Sequence, residues 1–160
     1  MARLNFKPGW HKRLIPALAI PLGIVVAIRL LNAFTARPAR LGVENGRLTS
    51  CPDRPNCVNS LSDDPGSAVE PFHFHGTVEA ARRHLVGTLA SLPRTRVVSE
   101  RKDYLHFECT SFVFGFVDDV EFLFVDEGKL VHIRSAARIG YSDLKVNRKR
   151  VELIRAKLGW

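Results

Sequence analysis

The chain has 160 residues, 46% apolar and 25% charged, proportions of a globular protein that exclude a disordered or fibrous one. That length suits one domain with a leader or anchor, not two domains. The formal net charge of +8 divides unevenly: residues 1–50 carry eight Lys/Arg and one Glu, residues 51–160 sixteen Lys/Arg and fifteen Asp/Glu. The folded part is therefore nearly neutral, which argues against a nucleic-acid-binding domain, whose positive charge must stand on its folded surface.

Leu14 to Ile28 is a fifteen-residue uncharged run preceded by Arg3, Lys7, Lys12 and Arg13. Fifteen is short of the about 20 residues that span a bilayer. Past Arg29, however, Leu30 to Phe34 continues the pattern, and an arginine near a helix end reaches its head group to the interface. Residues 1–34 therefore read as an N-terminal transmembrane anchor that meets the membrane through 14–34. A cleaved signal peptide is the rival reading, but Leu31/Ala33, Phe34/Ala36 and Arg37/Ala39 each lack the small residue needed at −3, and Ala33/Thr35 is a marginal site. Four basic residues before the run and three after it barely decide an orientation. Cys51 and Cys57 do more: in an oxidising compartment they would close a small loop as a disulfide. That places 51–160 on the extracytoplasmic side of the inner (cytoplasmic) membrane. Leu48–Cys51 has the form of a lipoprotein box but lies too far beyond the apolar run to act as one.

Residues 35–50 show no sustained period and read as a linker to a domain over 51–160. PFHFHG (71–76) alternates like a strand. Val78, Ala81, Leu85, Leu89 and Leu92 recur at helical spacing up to Pro93. Thr95–Glu100 and Tyr104–Thr110 are two strand patterns joined by the polar turn Arg101-Lys102-Asp103, and Phe116–Val125 and Leu130–Ser135 are two more joined around Glu127-Gly128. Asn147, Val151, Ile154 and Leu158 mark one face of a last helix capped by Ser142 or Asp143. The expected fold is α+β: a membrane helix, then one antiparallel sheet backed by two helices in the order β-α-β-β-β-β-α.

A loop around Glu127-Gly128 sets the register of the last hairpin. Phe124 then faces Val131, Phe122 faces Ile133 and Val120 faces Ser135 on an apolar side. Leu123 faces His132, Glu121 faces Arg134 and Asp119 faces Ala136 on the other, with Arg134 and Arg138 as diagonal neighbours of Asp119. Asp118 has the parity of the apolar side, with Phe116 and Val120, and needs a partner or a place at the rim.

Asp118, Asp119, Glu121, Arg134 and Arg138 could form a basin whose arginines hold a carboxylate or phosphate bidentately. The plainer reading is a solvated sheet face laced with weak ion pairs. His73, His75, His106 and His132 share the polar parity, but with strand order unknown they imply no metal site. The Cys51–Cys57 gap is not that of thiol oxidoreductases, and Cys109 has core parity. Lys145 to Arg150 reads as a solvated face, or as contact with anionic lipid headgroups if the last helix faces a membrane. Ser60, His132 and Asp118 could be assembled into a nucleophilic set, though no spacing supports one.

CPDRPNCVNS, GFVDDVEF and IRSAARIGYSDLKVNRKRVELIR together resemble, in order and spacing over residues 51–158, the DUF1499 family of bacterial and plastid proteins of unknown function. The family pattern falls on Cys51, Pro55, Asn56, Cys57 and Ser60; on Phe116, Asp118, Asp119 and Glu121; and on Arg134, Ser135, Arg138, Gly140, Tyr141, Asp143, Asn147, Arg148 and Arg150. The histidines lie outside it. The resemblance implies no substrate, cofactor or catalytic role.

The expectation is a non-enzymatic, membrane-anchored binding or accessory domain, without metal or cofactor. Asp118, Asp119, Glu121, Arg134, Ser135, Arg138, Tyr141, Asp143, Asn147 and Arg148 would contact a membrane or envelope partner protein or an anionic ligand. The alternatives are an envelope hydrolase or lyase with Asp118 or Asp119 as general base, and a lipid or apolar-ligand carrier.

Overall fold

The computed structural model describes residues 10–160, and side chains from residue 19 onward. Arg3 and Lys7, and the side chains of Lys12 and Arg13, lie outside the described residues. Helix α1 covers Trp10–Ala33. Among the described residues no helix is long and apolar enough to cross a membrane.

The domain is a mixed α+β fold. Its strands are β1 (Val43–Glu44), β2 (Arg47–Leu48), β3 (Cys57–Asn59), β4 (Phe72–His73), β5 (Thr95–Glu100), β6 (Tyr104–Thr110), β7 (Val117–Val125) and β8 (Leu130–Ala137). Helix α2 (Val78–Ala90) lies between β4 and β5, and α3 (Val146–Leu158) follows β8. The main sheet is antiparallel in the order β3-β8-β7-β6-β5, with β4 also on the outer edge of β8. The expected register of the last hairpin holds from Asp118↔Ala137 to Val125↔Leu130, so the connection is the four-residue loop 126–129.

One sheet face carries the core. Val120, Phe122 and Phe124 pack with Phe107, Val131 and Ile133 against Ala81, Leu85 and Leu89 of α2 and Val151, Ile154 and Leu158 of α3. The spacing that marks α3 is the face it buries, Asn147 included. Thr77 caps α2 by accepting from the Ala80 N–H at 3.2 Å.

Several expectations need correction. The supposed linker folds: Val43 pairs with Leu48 across Asn45-Gly46, both at positive φ, the tight turn that an Asn-Gly pair favours. Leu48 and Val43 then pack on Tyr104 and Leu123, covering the sheet face opposite the helices. The cysteine motif holds a strand, β3, too short to show a period. Phe116 precedes β7 and is exposed. The residue at the N-cap of α3 is Lys145 in a left-handed conformation. Asp143 serves from two positions earlier, accepting from the N–H groups of Lys145 (2.9 Å) and Asn147 (2.7 Å). Arg148 and Arg150 are not a solvated face, because both reach back across the fold.

Candidate functional site

Alternation along β6, β7 and β8 sends Tyr104, His106 and Glu108, then Asp119 and Glu121, then His132 and Arg134, to the face away from the helices. Pairing aligns them in rows: His106 opposite Glu121 opposite Arg134, and Arg96 opposite Glu108 opposite Asp119. This face is no solvated exterior. Residues 37–48 lie over it, leaving Glu121 0% and Asp119 1% exposed.

Burial of charge requires pairing, and each acid is paired. Glu121 accepts from Arg134 Nη1 (2.8 Å), the Tyr104 hydroxyl (2.8 Å) and the Gly42 N–H (2.6 Å), which ties the covering segment to the sheet. Burial and the Glu121 charge push the Tyr104 hydroxyl far above its usual range, so it stays a donor. Arg138 grips Asp119 with two N–H groups, at 2.8 and 2.7 Å, and His106 Nε2 lies 2.8 Å from the same carboxylate. Burial works to raise the Asp119 pKa, but these bonds from Arg138 and His106 hold it below the ordinary range.

Glu108 sits where this layer opens to solvent. Arg138 and Arg96 bond to it, and Arg37 donates through Nε (3.1 Å) and Nη2 (2.8 Å). Burial opposes its ionisation, yet the bonds from Arg138, Arg37 and Arg96 bring its pKa down to about 2. The cleft beside it, about 520 Å³, runs under the end of α1 and is lined by Arg29, Arg37, Arg96 and Arg138 with Glu108 as its one carboxylate. The side chains of Arg37 and Arg96 are 48% and 70% exposed, so N–H groups remain for a further anion.

The residues expected to form one site divide between the two faces. Asp119, Glu121, Arg134 and Arg138 belong to the covered charged layer. Asp118 lies on the helix side and pairs with Arg150; burial raises its pKa while Arg150 opposes the rise. Ser135 donates to Asn147 Oδ1 at 2.6 Å and accepts from Arg150 at 3.0 Å, and the buried Asn147 donates to the Asn56 carbonyl. With Asp143 at the start of α3, these residues fasten the helix to β8 and to the cysteine loop. Arg148 donates to the carbonyls of Ala68 and Gly66. Tyr141 is exposed beside Pro55. Cys51 and Cys57 are joined as a disulfide, and Cys109 is a buried free thiol.

Neither aspartate lines the arginine cleft, which weakens both as general bases. Ser60 Oγ lies 3.2 Å from His132 Nδ1, but Asp118 is on the opposite face and completes no triad. Among the described residues no group of three His, Cys, Asp or Glu is placed to hold a metal ion. Phe72, Phe74, Phe107, Phe122 and Phe124 are all buried in the core cluster that the sheet shares with the two helices. Glu108, Arg37 and Arg96 were missed by the sequence reading. Extending the hairpin register two strands further, through Glu108 opposite Asp119 on β6 to Arg96 opposite Glu108 on β5, would have found two of them.

Fold and site together define an α+β domain whose antiparallel sheet is apolar toward two helices and ionic toward its own N-terminal segment. Over residues 47–158 the chain matches the family described as "Protein of unknown function (DUF1499)", and it belongs to that family. A comparison with curated proteins returned no match.

Proposed function

We propose that the chain is a membrane-anchored, extracytoplasmic binding domain that takes an anionic group, carboxylate or phosphate, in the arginine cleft. The observation that carries this reading is the charge of the lining: four guanidiniums face one carboxylate. Arg138 is held rigidly by Asp119 and Glu108, so it is oriented before a ligand arrives, while Arg37 and Arg96, also bonded to Glu108, are about half or more exposed and keep further N–H groups for an anion. Planar guanidiniums recognise a carboxylate or phosphate bidentately, and a preset one loses less freedom on binding. The anchor reading rests on the uncharged run 14–28, and the extracytoplasmic reading on the disulfide.

The test is thermal unfolding of the detergent-solubilised full chain with inorganic phosphate or citrate as probe. A bound anion raises the Tm by mass action, about 2.7 kcal/mol at a hundredfold excess over Kd. The rise should disappear in Arg96→Gln. If neither probe moves the wild-type Tm beyond the shift given by equal chloride ionic strength, the cleft is not an anion site.

A further inference from the structure

The last turns of α1 rest on the connection between β6 and β7, residues 111–116. Arg29 donates to the carbonyls of Phe112 and Val113, and the buried Asn32 donates to the Phe114 carbonyl at 2.8 Å. Gly115 permits the approach. It does so through its backbone conformation, φ +69°, which L side chains rarely adopt; a Cβ there would make only ordinary contacts with Arg29. The connection nonetheless turns its large side chains outward: Phe112 is 72% exposed, and Val113, Phe114 and Phe116 are exposed with it. The β8–α3 connection, at the same end of the sheet, exposes Ile139, Tyr141 and Leu144.

The 111–116 loop thus adjoins the end of α1, where Leu30 and Leu31, and Phe34 just beyond the helix, are exposed apolar side chains. The 111–116 loop is also bordered by positive charge. The Arg94 guanidinium lies over the Phe112 ring, 5.3 Å from its centroid, and Arg29, Arg37 and Arg96 border the adjacent cleft. Segments 29–37, 94–96 and 111–116 contain four arginines and no acid. Aromatic side chains bordered by arginines suit the headgroup layer of a bilayer, where rings meet acyl chains and guanidiniums meet phosphates. An aqueous surface offers neither contact.

We propose that this end of the domain lies on an anionic phospholipid bilayer, with 111–116 inserted as a wedge and the arginine cleft holding a lipid phosphate. The inference rests on the anion-site reading and narrows its ligand to a lipid headgroup. Arg29 then has a second role, since its bonds to the wedge fix the domain's tilt over the helix that brings it to the membrane.

The test uses the full chain reconstituted into vesicles, with an environment-sensitive fluorophore on Phe112→Cys and, as control, on Glu127→Cys at the far end of the sheet. Vesicles are phosphatidylcholine alone or phosphatidylcholine with phosphatidylglycerol, and spin-labelled headgroups serve as quencher. The label at 112 should shift to the blue and be quenched in the anionic vesicles only, while the label at 127 stays in water. Arg94→Gln/Arg96→Gln should lower the docked-to-undocked ratio roughly 30-fold, the effect of two arginines at an anionic surface. A label at 112 as wet and unquenched as that at 127 overturns the proposal. Equal quenching in phosphatidylcholine alone, whose headgroup has a phosphate but no net charge, overturns the requirement for an anionic bilayer. Should citrate or phosphate still raise the Tm through Arg96 while 112 stays in water, the anion site stands and its lipid assignment falls.

Discussion

Replacing Arg134 by Met should expose how much the covered ionic layer contributes. Glu121 is fully buried, and Arg134 is its cationic partner at 2.8 Å. Removing one member of a buried pair strands the other charge, a loss of about 3–5 kcal/mol. The Tyr104 hydroxyl and the Gly42 N–H still donate to the carboxylate, and such bonds are worth about 1.5–3 kcal/mol each, so the low end is expected. A loss of about 3 kcal/mol lowers the urea midpoint by roughly 2 M at an m-value of about 1.5 kcal/mol/M. The assay is urea unfolding of the full chain in mild detergent, followed by near-UV circular dichroism. Arg134→Met/Glu121→Gln should recover at least about half of the loss, because the amide oxygen accepts both remaining bonds without a charge to bury. A single-variant loss under about 1 kcal/mol, the value of a surface pair, would refute the view that residues 37–48 seal this face from water.

Glu108 makes stability depend on pH. Its folded pKa of about 2 lies below its ordinary value of 4.5, so its contribution is complete above about pH 4.5 and is lost as pH falls toward 2. The shift corresponds to at most about 3 kcal/mol, less after solvent screening, since Arg37 and Arg96 stand largely in water. Wild type and Glu108→Gln should therefore converge in stability between pH 5 and pH 2; parallel curves would show that the three arginines do not act through this carboxylate. Reducing the Cys51–Cys57 disulfide removes a small loop constraint worth about 2 kcal/mol, lowering the Tm by on the order of 10 °C. An unchanged Tm after reduction, verified by thiol labelling, would mean the loop is held by Asn56 and Asn147 alone.

Much of the fold was legible in the chain because its signals are local. The period of two between 116 and 137, broken at 126–129, set both the hairpin register and the helix-side position of Asp118. The period of α3 named its buried face, and Asp143 marked its start within two residues. The Asn45-Gly46 turn was equally readable, but flanking strands of two residues each are too short to show a period. The rest depends on contacts between residues far apart in the chain. Alternation says that Asp119 and Glu121 point away from the helices; it does not say whether water or another part of the chain meets them there. That was settled by Gly42 reaching Glu121 and Arg37 reaching Glu108, partners 79 and 71 residues apart. No local preference encodes such a contact. It forms because a sheet face of acids and arginines can be buried only when every charge finds a partner, and the N-terminal segment brings Arg37 and the Gly42 N–H to complete the set.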